Sequence, residues 1–353
     1  GAPAAAKAQM EGGRVLLTQV THTCSSISPM RCPRAPWSVG AYQHMGSRET
    51  QEDRLVVVPN LSDVDCHTPC SFFGVFDGTV GDFASENVKE LIIPKLNESL
   101  SWKAFRDGLG GRHNDQAFSA SDEKLLEQAV RDMYRSVDES LLQRCAKSAQ
   151  HYATCTSVTA LVVGDLLVVG HLGDSRIVLG KGGVTTDLVG EQLTIDHKPD
   201  SEAERARIEQ CGGCVERLQK HSNKAFIRGG DFLMRKALGE HPMQLQYSRA
   251  FGAKDLKIFG LSNIPDIKII RMGRDSAYRH TRFLILASDG LWDVLSAQAA
   301  VEIAQAACEK GLSPSEELVK AVLTEQSNRK ARADNITAVV VQFDRVKARQ
   351  SDL

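Results

Sequence analysis

The hydrophobic positions change period several times along the chain, and each change predicts an element. Apolar, β-branched and aromatic runs at 55–58 and 71–76 predict buried strands. Ala84, Val88, Leu91, Ile92 and Leu96 then recur at helical spacing, with Asp82 or Ser85 available as the cap. Residues 101–120 are rich in glycine and polar side chains and read as a loop, before a long helix over 121–149. The strongest β signal follows, with runs at 155–163 and 165–170 meeting at the tight turn Gly164-Asp165. A second turn, Gly173-Asp174-Ser175-Arg176, leads into a strand at 177–179. A charged helix over 201–211 ends at Gly212-Gly213, glycines suited to a left-handed cap, and 214–247 is irregular and basic in places. Strands at 283–287 and 336–343 bracket two helices, about 296–310 and 314–327. The second opens on Ser313-Pro314-Ser315-Glu316, a capping box with proline at the first helical position. Runs of strands with helix pairs between them predict helices packed on antiparallel sheets, not strict βαβ alternation. Residues 1–35 show no sustained period and predict a loosely ordered arm, and 346–353 a tail, around one domain over 36–345.

Composition narrows the class. With 353 residues, 42% hydrophobic and 25% charged, the chain can bury a full core. A formal net charge of −1 gives no global field toward nucleic acid or acidic membranes, and no stretch has the apolar length to span a bilayer. A monomer in the cytoplasm or nucleus is expected. The chain starts at Gly1, not methionine, so a lost targeting segment would leave secretion open. Nine cysteines, an odd and sparse set, read as buried thiols in a reducing compartment, not as a disulfide framework.

The candidate chemistry is acidic. Carboxylates stand where apolar strands end: Glu52-Asp53, Asp77-Gly78, Asp174, Asp289-Gly290, Asp293 and Asp334-Asn335. Each alone is an ordinary turn residue. If the strand ends converge, the acids lie within a few ångströms of one another and repel unless cations neutralise them. Carboxylates without His or Cys select Mg²⁺, Mn²⁺ or Ca²⁺ rather than zinc. Two such ions about 4 Å apart could share a carboxylate and hold an activated water in line with a phosphorus atom. Arg48, four residues before Glu52, could grip phosphate oxygens beside them.

These residues resemble the type 2C, or PPM, family of metal-dependent protein phosphatases, from about Ser38 to Phe343. The motifs stand in the family's order. They run from Arg48-Glu-Thr-Gln-Glu52-Asp53 and Phe72-Phe-Gly-Val-Phe-Asp77-Gly78 through Gly173-Asp174-Ser175-Arg176 and Asp196-His197-Lys198-Pro199. Arg207-Ile208 with Gly212-Gly213, then Ser248-Arg249-Ala250-Phe251-Gly252, follow. Ala287-Ser288-Asp289-Gly290-Leu-Trp292-Asp293 and Asp334-Asn335-Ile336-Thr337 close the series. The resemblance implies an α+β fold, a four-layer α-β-β-α sandwich with two central antiparallel β-sheets flanked by helix pairs. It implies two divalent cations, Mg²⁺ or Mn²⁺, with a weaker third, and phosphoprotein substrates carrying phosphoserine or phosphothreonine. Asp77 would bridge the cations with help from the Gly78 carbonyl; Glu52 would hold one, and Asp289 and Asp334 the other. Asp53 would orient the attacking water, Arg48 would bind phosphate, and Asp174 and Asp293 would join Asp289 at the third site.

The chain departs from that pattern in three places. Thr79 stands where the family usually has histidine, and threonine is too weak an acid to protonate a leaving alcohol, so alkyl phosphates should turn over slowly and aryl phosphates suffer less. Ala253 replaces an aspartate. The flap, about 200–250, is enlarged and carries Arg217, Lys220, His221, Lys224, Arg228, Arg235 and Lys236, a surface for selecting substrates or partners. Thr79 also supports a rival reading, a pseudophosphatase that binds phosphoproteins without hydrolysing them. A metal-dependent nuclease is disfavoured because no basic groove or run of aromatic residues accompanies the acids. His171 and His197, beside turns, read as structural, and Cys211-Gly-Gly-Cys214 as a helix end.

Overall fold

Apolar runs that do not alternate need cover on both faces, and here each receives it. The computed structural model describes residues 9–11, 14–16, 23–33, 35–61, 68–109, 117–182, 188–219, 223–273 and 277–344. Two antiparallel sheets stack face to face. The first orders its strands Gln9–Glu11, Arg14–Leu16, Arg54–Val58, Cys70–Phe76, Ser157–Val163, Leu166–Leu172 and Asp266–Arg271. The second runs Val189–Gln192, Arg176–Lys181, Thr281–Ala287, Ile336–Phe343, Trp37–His44 and Cys24–Arg31.

Alternate residues of one strand serve different layers. Phe73 and Val75 point between the sheets, where they meet Leu284, Leu286, Val339 and Val341. Phe72 and Phe76 point outward against the helices Phe83–Glu98, Leu100–Leu109 and Ala120–Lys147. On the opposite outer face, Phe283, Ile285 and Val340 are covered by the helices Ala297–Glu309 and Pro314–Asn328. Full burial of each such side chain is worth about 1.5–3 kcal/mol, which favours this layer order over any that leaves one face wet. The result is the expected α+β arrangement of antiparallel sheets flanked by helices.

Several local expectations give way. Cys24–Arg31 is not a loose arm but an edge strand paired with Trp37–His44, its Ile27 buried between the sheets. Its sequence alternates too weakly to announce a strand, because most of its side chains face solvent or the sheet edge. The loop expected over 101–120 is a helix as far as Leu109, anchored by buried Trp102, Phe105 and Leu109. Those anchors sit three and four apart, a signal that Gly108 obscured. Ser313 makes no capping bond; its hydroxyl pairs with that of Ser315 at 3.2 Å. The reciprocal capping box occurs instead at Ser119 and Asp122. The expected tail lies outside the described residues, as do Lys220, His221 and Cys66; none of the other eight cysteines is in a disulfide.

The flap is more regular than its sequence suggests. Cys214–Leu218, Lys224–Arg228 and Gln244–Leu245 form a small antiparallel sheet, with the short helix Phe232–Ala237 between the last two strands. Its basic residues are largely neutralised within the fold: Arg217 meets Asp200, Arg228 meets Glu216, and Arg235 bonds Glu240 at 2.7 Å and Asp255 at 3.1 Å. Beneath the flap, buried Glu204 accepts bonds from Arg207 at 2.8 and 2.6 Å, from Arg249 at 3.0 and 2.7 Å, and from the Ser248 hydroxyl. Burial acts to raise its pKa, but these donors outweigh burial and hold the carboxyl well below its usual range. A depressed carboxylate stabilises the fold fully above its unfolded pKa of about 4.3 and loses that contribution as pH falls toward the folded value. Glu204→Gln is therefore expected to cost about 3 kcal/mol at pH 7. In urea titrations the gap to the wild type should narrow steadily at about pH 3 and below; a gap independent of pH would contradict this account.

Candidate active site

Strand register brings the acidic turns to one end of the sandwich. Arg54 pairs with Phe76, which sets Asp53 beside Asp77. Ala287 pairs with both Arg176 and Ala338, so Asp174, Asp289 and Asp334 gather around the end of one strand. The charges of Asp53, Asp174, Asp289 and Asp334 all reach Asp77, and those of Asp174, Asp293, Asp334 and Asp53 reach Asp289.

Backbone approach is as close as the acids are. A side chain on Gly78 would lie 2.5 Å from the Glu52 carbonyl and 2.9 Å from the Ser85 hydroxyl. A side chain on Gly290 would collide with the Asn335 carbonyl. Both glycines are therefore required by space, and each lets one acidic turn press on another.

The acids differ in their partners. Asp53, buried, accepts the Ser288 and Thr337 hydroxyls, each at 2.7 Å. Burial pushes its pKa up to about 6 against the downward pull of those two bonds. Glu52 accepts the Thr50 hydroxyl at 3.1 Å and the Gly81 N–H at 3.0 Å, while its own N–H donates to Asn335 Oδ1 at 2.7 Å. The outer acids carry basic side chains: Lys198 on Asp174 at 2.5 Å, Arg48 on Asp334 at 2.6 Å and Lys224 on Asp293 at 3.4 Å. Asp77 and Asp289 are half-buried, and neither carboxylate receives a hydrogen bond or ion pair from any described residue. Burial first, then the neighbouring aspartates, drive both pKa values well above the ordinary range.

Among the described residues no three His, Cys, Asp or Glu side chains are gathered tightly enough to hold a metal ion as they stand. The convergence within a few ångströms that the sequence suggested is thus looser. Like charges repel, and Arg48, Lys198 and Lys224 draw the outer acids aside. The donor set nonetheless fits hard divalent cations: it is all oxygen, and its two inner members form no ion pair with any described residue.

Several residues that hold this arrangement carried no role in the sequence reading. Asn335, 6% exposed, also donates to the Met45 and Thr50 carbonyls at 2.8 and 3.0 Å. Ser288 and Thr337 fix Asp53, and the Ser85 hydroxyl donates to the Glu52 carbonyl. Polar residues directly beside the acids at strand ends are the signal that pointed to them. His197 accepts the Gly173 N–H at 3.0 Å and bonds Asp266 at 3.2 Å, clamping the turn that carries Asp174. His171 stacks on it with ring centres 4.4 Å apart, and burial holds His171 well below its usual pKa, so it is neutral.

Comparison with known proteins agrees with this fold. A family model described as protein phosphatase 2C matches residues 37–336. A probable protein phosphatase 2C of Oryza sativa subsp. japonica, number 59, is 34% identical over 307 residues, which is 87% of this chain and 76% of that protein. A second rice relative, number 45, is 33% identical over 308 residues, 87% of this chain and 88% of its own length. The crystal structure of a serine-threonine phosphatase 2C from Toxoplasma gondii superposes with a TM-score of 0.82 at 47% identity, covering 92% of this chain and 100% of that one. On these matches the chain belongs to the protein phosphatase 2C family, and it is a serine/threonine protein phosphatase.

Proposed function

We propose that this phosphatase hydrolyses phosphoserine and phosphothreonine by a two-metal mechanism, with Glu52, Asp77, the Gly78 carbonyl, Asp289 and Asp334 holding the ions. The observation that carries the reading is the pair Asp77 and Asp289, half-buried, surrounded by like charge and without a direct ion-pair partner among the described residues. Two Mg²⁺ or Mn²⁺ ions would supply charge neutralisation and an activated water. Asp53, held by Ser288 and Thr337, would offer that water a fixed acceptor. Arg48, which rests on Asp334 at 2.6 Å, would be free to bind the phosphate dianion if Asp334 held an ion, and its guanidinium would stabilise the charge on the transferred group. Asp174 and Asp293, already served by Lys198 and Lys224, form the weaker outer site. The flap cavity of about 640 Å³, lined by Arg217, Arg228, Phe232, Lys236 and His241, would receive the polypeptide around the phosphorylated residue.

The test is Mn²⁺-dependent hydrolysis of a phosphothreonine peptide and of an aryl phosphate. Both should be cleaved, the aryl ester faster, because no described group at Thr79 can protonate the poorer leaving group. Thr79→His should accelerate the peptide by ~10²-fold and the aryl ester far less. A chain that binds Mn²⁺ yet cleaves neither substrate would be a phosphate-binding module instead.

A further inference from the structure

The hydroxyl of Thr79 is held from outside its own turn. Tyr247, far along the chain, donates its phenol proton to Thr79 Oγ1 at 2.9 Å. The tyrosine is 6% exposed and packs in the cluster beneath the flap with Ile208, Ile227 and Leu245. From the other side, Thr79 is fixed by backbone pairing to Thr154, which belongs to a strand that in turn pairs with Phe251–Gly252.

We propose that Tyr247 is a positioning residue that presents the Thr79 hydroxyl as a hydrogen-bond donor to the phosphate monoester seated over Asp77. The inference rests on the phosphatase reading and adds to it a pair of residues that the acidic cluster does not include. A hydroxyl has one proton and two lone pairs. Tyr247, whose phenol also bonds the Thr154 side chain, occupies one lone pair of Thr79, which leaves the threonine's own proton for another acceptor, and no other acceptor for it stands among the described residues. Burial holds the Tyr247 phenol well above its usual range, so it remains a donor. The pair borders the acids, since the charges of Asp77 and Asp174 both reach the phenol.

The backbone after Thr79 supports the same conclusion independently. Val80 has φ 63°, in the left-handed region that a β-branched residue enters only under constraint. Its side chain is 53% exposed, so no core contact of its own enforces this conformation. What enforces it lies on either side: Tyr247 on Thr79, and the Gly81 N–H bonded to Glu52 Oε2 at 3.0 Å. A turn strained between a buried phenol and an acid of the cluster holds its hydroxyl in one orientation before any substrate arrives.

The test is a double-mutant cycle on the full chain with Mn²⁺ and a phosphothreonine peptide, reading kcat and KM separately. Thr79→Val should lower kcat about tenfold with KM changed by less than about twofold, the loss expected for one hydrogen bond to a charged group. Thr79→Ser should restore most of it. Tyr247→Phe should lower kcat by a similar factor in the wild type and have no further effect in Thr79→Val. Equal Tyr247→Phe effects in both backgrounds would mean that the tyrosine only supports the fold, and the proposal falls. If Tyr247→Phe fails to fold, the Thr79→Val and Thr79→Ser pair decides alone: Thr79→Val with unchanged kcat overturns the proposal. A wild type inert on both the peptide and an aryl phosphate overturns the phosphatase reading and this inference with it, whereas an active wild type isolates the inference.

Discussion

Asp289→Asn is expected to lower phosphatase activity by at least ~10³-fold while raising the melting temperature of the metal-free protein. The two effects have one origin. Asp289 is half-buried among Asp174, Asp293, Asp334 and Asp53, and no described cation pairs with it directly, Lys198 reaching it only by charge from its place on Asp174. Its folded pKa is raised, so ionising it destabilises the fold as pH rises from the unfolded carboxylate value of about 3.9 toward the folded one. At neutral pH in chelator the wild type carries that penalty and the asparagine does not. Relief of 1 kcal/mol raises the melting temperature of a chain this size by roughly 1–2 °C. Added Mn²⁺ should reverse the order, since a ligand at 100 times its dissociation constant stabilises the wild type by about 2.7 kcal/mol and the variant binds it poorly. Calorimetric scans of both proteins, with chelator and with Mn²⁺, check the crossing. A variant that melts below the wild type in chelator, or a wild type indifferent to Mn²⁺, would remove the argument that these acids await cations.

The second large effect is structural. Asn335→Ala is expected to destabilise the protein by about 2–4 kcal/mol and to slow hydrolysis about 10–100-fold. One buried amide satisfies the Glu52 N–H and the carbonyls of Met45 and Thr50, three backbone groups of the loop that carries both Arg48 and Glu52. Alanine leaves them without partners, and the unmet polar groups cost more than the bonds themselves are worth. Asn335→Asp keeps an acceptor for the Glu52 N–H but sets a carboxylate oxygen against the Met45 and Thr50 carbonyls, so it should be no more stable than alanine in urea midpoint. Amide exchange over 45–52 should quicken in both variants. If the alanine variant unfolds at the wild-type midpoint, Asn335 is not what secures the loop.

Much of this molecule was legible in its residues. The runs at 72–76 and 283–287 announced central strands because they carry no polar side chain, and only two-sided cover satisfies such a run. The acids at strand ends and the motif order pointed to a phosphatase site before any contact was known. What stayed hidden were elements whose signals are weak locally. Cys24–Arg31 is a strand because Trp37–His44 offers it an edge, and its own exposed side chains gave little pattern. The helix Leu100–Leu109 buries three anchors in a layer supplied by other helices, so its stability is not its own.

The division follows from the range of the forces. Periodicity, turn chemistry and hard-oxygen donors are properties of short segments, and they determined the central strands, the main helices and the identity of the acids, while the layer order came with the family resemblance. Tertiary structure alone decided which neighbour each acid received: Ser288 and Thr337 for Asp53, Lys198 for Asp174, Arg48 for Asp334, and no direct ion-pair partner among the described residues for Asp77 or Asp289. It also decided that Tyr247 would meet Thr79 across 168 positions of chain. Such meetings depend on sheet register and layer crossing, which no local window contains, and a one-residue slip in either would turn the same side chains to another face.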